Sequence, residues 1–307
     1  MHYSVMAEEA LALLAIRPDG VYVDSTTGLG GHTGLIAQRL TTGVVIANDR
    51  DPQSLEMARA NTAEWAGRIR FHHGSFGELP EALRAAGFAK ADGILADLGV
   101  SRYQLTSPER GFSFLADGPL DMRMDPTRGM TAADLVNRTA EKALADLIYQ
   151  LGEERRARKV ARAIVRARPL RSTLHLADVV ERAVPRTGRL HPATKTFMAL
   201  RMAVNDEPGE LDRLLAIGPE LLKDGGRLVV ISFMSSDDRK VKERFRELAR
   251  EGRGVVLTKK PMEPSEREVA ENAPSRSAKL RAIERTLPEG RPKNPGTPLR
   301  EGGEPGA

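Results

Sequence analysis

The stretch VYVDSTTGLGGHTG, residues 21–34, constrains the fold of this chain more than any other. An apolar run breaks into a turn carrying Gly28, Gly30 and Gly31 and resumes as a helical pattern, the signature of a strand that feeds a helix through a loop open to close approach by a ligand. Asp49 follows about 20 positions later, at the end of the second apolar run VVIAN, as in Rossmann-type units. A dinucleotide fingerprint starting at Gly28 would need a third glycine where Thr33 stands, so the pattern departs from that ligand class.

Two further apolar runs, IRFHH (69–73) and GILAD (93–97), alternate with the amphipathic segments DPQSLEMARAN and LPEALRAAG. The first hundred residues therefore predict successive βα units and a mostly parallel α/β sheet. The next strand, GRLVVISF (226–233), comes after the helix ELDRLLAIGPELLKDGG with its glycine stop and before the helix SDDRKVKERFRELAREG. Residues 99–205 are then an insertion, mostly helical from Thr131 onward, within a domain made of 1–98 and 206–285. VVLTKK (255–260) and SAKLRAIE (277–284) are expected to complete the sheet. The tail 286–307 is expected to be disordered, because its last 21 residues include ten Pro or Gly.

The chain has no cysteine, which removes thiolate nucleophiles, cysteine-ligated zinc, iron–sulfur clusters and disulfides together. The N-terminal segment carries Glu8 and Glu9 where a signal peptide would be basic, and no apolar stretch is long enough to span a bilayer, so a cytoplasmic protein without membrane attachment is expected. His32, His72 and His73 offer no metal-ligand spacing: neighbours on a strand point to opposite faces. No metal is expected.

Asp24, Asp49 and Asp97 each end a strand at the edge where such sheets bind ligands. Three carboxylates repel a pyrophosphate but suit a ribose diol, an ammonium and a sulfonium, and S-adenosylmethionine carries all three without a phosphate. Asp24 and Asp97 acting as caps or turn residues is the alternative. With a methyl donor, the missing cysteine rules out C5 methylation of cytosine through a thioether and leaves direct transfer to nitrogen or oxygen.

RRARKVARAIVRARPLR (155–171) holds eight basic residues and no acid, with Val160, Ile164 and Val165 expected to face inward. Arg158, Arg162 and Arg166 recur every four residues, a cationic stripe able to follow a phosphate backbone, or else a solvated face. The polar, glycine-punctuated stretch 100–130 follows Asp97 directly, where α/β enzymes touch substrate. Within it Tyr103, Phe112 and Phe114 offer faces on which an extruded base can stack, or pack the insertion's core.

From His2 to Arg285 the chain resembles the bacterial small-subunit ribosomal RNA methyltransferase H family, in YVDSTTGLGGHTG, DGILADLGVS, RGFSF, GPLDMRMDPTRG, GEERRARKVARAI, HPATKTFMALRM and SRSAKLR. The resemblance implies a class I methyltransferase (Rossmann-like) fold, mostly parallel, with an inserted helical substrate-binding domain. It implies S-adenosyl-L-methionine as donor and the exocyclic amine of a decoding-site cytidine in 16S rRNA, within the small ribosomal subunit, as acceptor. Cofactor contacts carried over by motif are Gly30, Gly31, His32, Asp49, Phe76, Asp97 and Gln104. Asp97 is the first candidate to accept the amine hydrogens, followed by Ser101 and Asp121.

The family pattern usually has His where Met234 stands, Glu at Asp237, Gln at Met198 and Ser at Arg102, and NAPSRSAKLR lacks the first Arg of N-P-R-S-R-S. These departures are expected away from the cofactor, bearing on substrate or rate. The alternatives are a non-catalytic or retargeted donor-binding assembly factor, a nicotinamide oxidoreductase and a small-molecule methyltransferase.

Overall fold

The computed structural model describes residues 4–186, 188 and 190–286. The tail expected to be disordered lies outside the described residues from 287 onward. In the first half, α1 (Ala7–Leu14) precedes β1 (Val21–Asp24), α2 (Gly31–Arg39), β2 (Val44–Asp49), α3 (Pro52–Asn61), β3 (Ile69–His73), α4 (Leu79–Ala85) and β4 (Ala91–Asp97). The insertion carries α5 (Arg102–Thr106), α6 (Ala132–Arg138), α7 (Glu141–Gly152), α8 (Ala157–Ala167), α9 (Thr173–Ala183) and α10 (Thr194–Val204). The chain then returns through α11 (Glu207–Leu221), β5 (Leu222–Ser232), α12 (Ser235–Arg250), β6 (Gly254–Val256), α13 (Glu266–Glu271) and β7 (Lys279–Arg285).

Seven strands form one sheet in the order β3-β2-β1-β4-β5-β7-β6. β1 to β5 run parallel and β7 lies antiparallel between β5 and β6, which is the class I methyltransferase fold. The four residues of β1 and the first six of β4 are buried, as an apolar run covered on both faces requires. Leu83 of α4, Leu214 of α11 and Phe245 of α12 pack one face; Leu11 of α1 and Ile36 of α2 pack the other. The strand order reverses at β1, between β2 and β4, so a ligand crevice opens above the carboxyl ends of these strands.

Two expected boundaries are corrected. The glycines of LLKDGG do not stop α11: the helix ends at Leu221, in the turn that holds Pro219, and Leu222 already pairs with Ala91. The next ladder partner is Arg227 opposite Gly93, so Lys223–Gly226 bulge out, with Gly225 at φ 72°. At the far edge, β6 covers only Gly254–Val256 rather than 255–260. Thr258 takes over the ladder with its side chain, its Oγ1 accepting from the Ala282 N–H at 2.9 Å.

The insertion has its own apolar cluster, in which Val136, Leu144, Ile148, Val160, Ile164 and Leu200 are fully buried. Val165, expected inward, is only half-buried. Phe114 packs edge-on against Phe197 at 4.8 Å and tilted on His191 at 4.7 Å, and Phe112 is 5% exposed, so both belong to packing rather than to a stacking surface. Asn205 joins the insertion to the sheet: Oδ1 accepts from Met124 N at 2.7 Å, Nδ2 donates to Met122 O at 2.7 Å, and its own carbonyl accepts from Arg50 Nη1 at 2.7 Å.

Candidate active site

The glycine turn is pinned against β2 by its backbone, Thr27 N donating to Asn48 O at 3.0 Å and Gly28 N to Asp49 Oδ2 at 2.7 Å. Gly30 sits at φ 89°, and a Cβ there would lie 2.9 Å from Thr62 Cγ2 and 3.2 Å from Ala58. Its role is to let the turn close on α3; it does not itself reach the cavity wall.

Above the strand ends lies a cavity of about 620 Å³, within the ~300–1,000 Å³ of small-molecule sites. The structure brings Gly31, His32, Asp49, Phe76, Asp97, Ser101 and Gln104 to its wall, with Gly28 beside them. Asp24 is absent from that wall, so of the three strand-tip carboxylates only Asp49 and Asp97 line the cavity. It is fully buried behind the turn, accepting from Thr33 Oγ1 at 2.7 Å and from Thr26 N at 3.2 Å. That bond explains why a threonine stands where a dinucleotide fingerprint has glycine. Asp121 is also elsewhere: both of its oxygens are held at 2.8 Å by Arg123.

Burial pushes the Asp97 carboxyl up to about 8, with the charges of Asp24 and Glu268 adding to the effect. Its backbone N–H donates to Thr26 Oγ1 at 2.6 Å, while Oδ1 is withdrawn from water and receives no hydrogen bond within the protein. The other oxygen lies 4.0 Å from His32 Nδ1. His32 Nε2 is 3.0 Å from the Val5 carbonyl, which can only accept, so Nε2 carries the proton. Burial also raises Asp49, to about 6, against the hydrogen bonds it accepts from Asp51 N and Gly28 N. Each Asp49 oxygen keeps acceptor capacity for a ligand hydroxyl. A cavity holding three raised carboxyls, those of Asp49, Asp97 and Asp237, favours a cationic, donor-rich ligand over a phosphate.

The model of the MraW methylase family matches residues 1–286 of the chain. The chain belongs to the MraW methylase family. It is 75% identical to the Ribosomal RNA small subunit methyltransferase H of Solibacter usitatus, over 92% of this chain and 99% of that protein. Proteins of the same name from Acidobacterium capsulatum and Koribacter versatilis are 48% and 50% identical, each over 92% of this chain and over 98% and 94% of their own lengths. The methylase is an S-adenosylmethionine-dependent methyltransferase.

Four departures from the family pattern, Arg102, Met198, Met234 and Asp237, line the same cavity as Asp49 and Asp97. They share one cavity with Asp49 and Asp97 because the insertion and α12 fold back over the strand ends. Met198 and Arg201 reach the wall together because they sit one turn apart on α10. Arg201 is clamped by Glu207, at 2.7 and 2.9 Å. Burial raises the Asp237 carboxyl, with Lys240 and Arg201 opposing.

Sequence reasoning missed the support behind the wall of the methylase. Asp51 is fully buried, caps α3 through Gln53 N and Ser54 N, and accepts from both Gln104 Nε2 and Arg110 Nη1 at 2.8 Å. Gln104 Oε1 accepts from Ser101 N at 3.0 Å, and Ser101 Oγ from Gln104 N at 3.2 Å, so both residues are engaged in capping α5. The arginine that opens RGFSF was the available signal.

Among the described residues, none of α8 lines the cavity. Arg158, Arg162 and Arg166 are exposed, Arg162 lying 3.5 Å from Glu141, whereas Arg168 turns inward and donates to Val136 O at 2.7 Å. Tyr103 is half-buried and off the wall. No helix among the described residues is long and apolar enough to cross a membrane, and none of their acidic and histidine side chains group as a metal site.

Proposed function

We propose that this methylase transfers the methyl group of S-adenosylmethionine to the exocyclic N4 of a cytidine in 16S rRNA, within the small ribosomal subunit. Asp97 carries the reading: a carboxyl at a strand tip, 23% exposed and poorly hydrogen-bonded by the protein, in one cavity with the glycine turn and Asp49. The names of the relatives at 48–75% identity support ribosomal RNA of the small subunit as the substrate class. The motif resemblance supports cytidine N4.

The donor, when bound, supplies an electrophilic methyl group on a sulfonium. Asp49 offers lone pairs to the ribose hydroxyls, Phe76 a flat apolar face to the adenine, and the glycine turn a backbone without side chains to obstruct the methionine moiety. The cytosine amine is a weak nucleophile because its lone pair is delocalised into the ring. Asp97, ionised once the cationic donor stands beside it, accepts an amine hydrogen, favours a tetrahedral nitrogen, and takes the proton that the nitrogen loses once the new N–C bond has formed. Such general-base help is worth roughly 10²–10⁴ in rate, and holding the nitrogen about 3–3.5 Å from the methyl carbon can supply more. Leu98, Leu211 and Phe233 at the wall keep water from competing.

In this reading residues 99–205 are the substrate-binding domain and the exposed arginines of α8 follow the RNA backbone. The substrate places the enzyme in the cytoplasm. A retargeted enzyme is the second reading, favoured by the four departures that share the cavity. Small subunits lacking the modification are incubated with radiolabelled donor to test the proposal. Label entering 16S rRNA with wild-type enzyme and not with Asp97→Ala is expected; equal transfer by the variant removes Asp97 from the mechanism, and label confined to other RNA favours retargeting.

A further inference from the structure

We propose that Asn272 reads the Watson–Crick edge of the acceptor base, its side-chain amide donating to ring nitrogen N3 beside the amine held by Asp97. The inference rests on the cytidine reading above and adds the residue that selects the base.

Asn272 ends α13 and, with Glu271 and Pro274, forms part of the cavity wall. Its place is fixed by backbone bonds on both sides: its N–H donates to Glu268 O at 2.6 Å and its carbonyl accepts from Ser275 N at 2.8 Å. The helix is in turn anchored to the N-terminal segment, Met6 N donating to Glu268 Oε1 at 2.8 Å across 262 positions of sequence. Val5, next to Met6, is the residue whose carbonyl holds His32. A single clasp therefore sets α13 and His32 against the cavity, and the charge of Glu268 reaches Asp97.

Within this rigid setting, Asn272 Nδ2 is withdrawn from water and has no acceptor in the protein. Buried amides are nearly always paired, and Asn272 lines the cavity, so a turn of its amide about χ2 that brings Nδ2 to a ligand acceptor gives up no hydrogen bond of that nitrogen. Asp97 has the complementary deficit: its carboxyl is 23% exposed on the same wall and has an oxygen with no donor in the protein. Cytosine presents a hydrogen-bond donor at N4 and an acceptor at N3, side by side, which satisfies both deficits at once. Uracil presents the reverse, an acceptor at O4 and a donor at N3, and meets two like partners. The unreacting N3 thus aligns the amine without taking part in the transfer.

Full-length wild-type enzyme, Asn272→Ala and the isosteric Asn272→Asp are compared in single turnover with saturating donor. The substrates are subunits whose target is either cytidine or 3-deazacytidine, in which a C–H replaces N3. On cytidine, Asn272→Ala is expected to lose about tenfold in rate and Asn272→Asp more, with donor affinity within about twofold of wild type. On 3-deazacytidine, wild type loses about tenfold while Asn272→Ala loses nothing further, a coupling that a merely structural role would not produce. Rates within twofold of wild type for both variants, or penalties that multiply between variant and base, overturn the assignment. The Asp variant preserves the test if the Ala variant unfolds. Failure of wild type on cytidine itself would sink the functional reading instead.

Discussion

Arg110 meets Asp51 at 2.8 Å with side chains 6% and 0% exposed, and this pair ties the polar stretch after Asp97 to the N-terminus of α3, two residues past Asp49. The two terminal nitrogens also donate to Gln53 Oε1 at 2.9 Å and to the carbonyls of Arg123 and Met124 at 3.0 and 2.9 Å. The cavity wall therefore depends on a buried charge two layers behind it. Removing one partner strands the other: Arg110→Ala is expected to destabilise the fold by about 3–5 kcal/mol in denaturant titrations. A loss below about 1 kcal/mol would mean that the pair is not closed in solution.

The raised Asp97 carboxyl sets the sign of a pH effect. Between about pH 4 and pH 8 the folded protein holds a proton on Asp97 that the unfolded chain has released, so this residue's contribution to stability falls as pH rises through that window. Asp97→Asn removes the effect. Its stability relative to wild type should climb from pH 5 to pH 8 and then level off, as read by chemical denaturation at several pH values. A difference independent of pH would place the Asp97 pKa near that of an ordinary carboxyl.

Binding of a cationic donor beside the same carboxyl favours its ionised form. Donor binding at pH 7 should therefore release protons, and affinity should rise with pH up to about 8. Calorimetric titrations in two buffers of different ionisation enthalpy read the proton count directly; identical apparent enthalpies would contradict the coupling.

Gly30 is constrained twice, by φ 89° and by the 2.9 Å approach that a Cβ would make to Thr62. Gly30→Ala is expected to cost about 1–3 kcal/mol of stability and to weaken donor binding by displacing the turn. Unchanged donor affinity would show that the turn has room to shift.

Arg158, Arg162 and Arg166 stand clear of the cavity on an exposed face. Replacing all three with Ala should weaken subunit binding and lower the slope of log K against log salt by about 0.7–0.9 for each phosphate that is no longer neutralised, leaving donor affinity intact. An unaltered salt slope would assign the stripe to solvation.

The central sheet was legible because its strands are continuous apolar runs bounded by polar turns, and Asp49 and Asp97 mark their tips in the sequence itself. What escaped was long-range. Nothing near Asp24 announces that Thr33 will fold back to bury it, and nothing near Met6 announces Glu268. Lys223–Gly226 read as a helix stop because glycine signals both a stop and a bulge; only the pairing of Leu222 with Ala91 decides. Phe112 and Phe114 have the composition of a stacking surface, yet the insertion needs apolar volume and claims them. The departures at Met198, Met234 and Asp237 are distant in sequence from Asp49 and Asp97, and the return of α10 and α12 over the strand ends brings them to one wall.

The reaction itself is read with a deuteriomethyl donor, purified enzyme and small subunits lacking the modification, followed by digestion of the RNA and mass spectrometry of its nucleosides. Labelled N4-methylcytidine from 16S rRNA is the predicted product. Donor binding without that nucleoside, or label on another nucleoside, would contradict the proposed reaction.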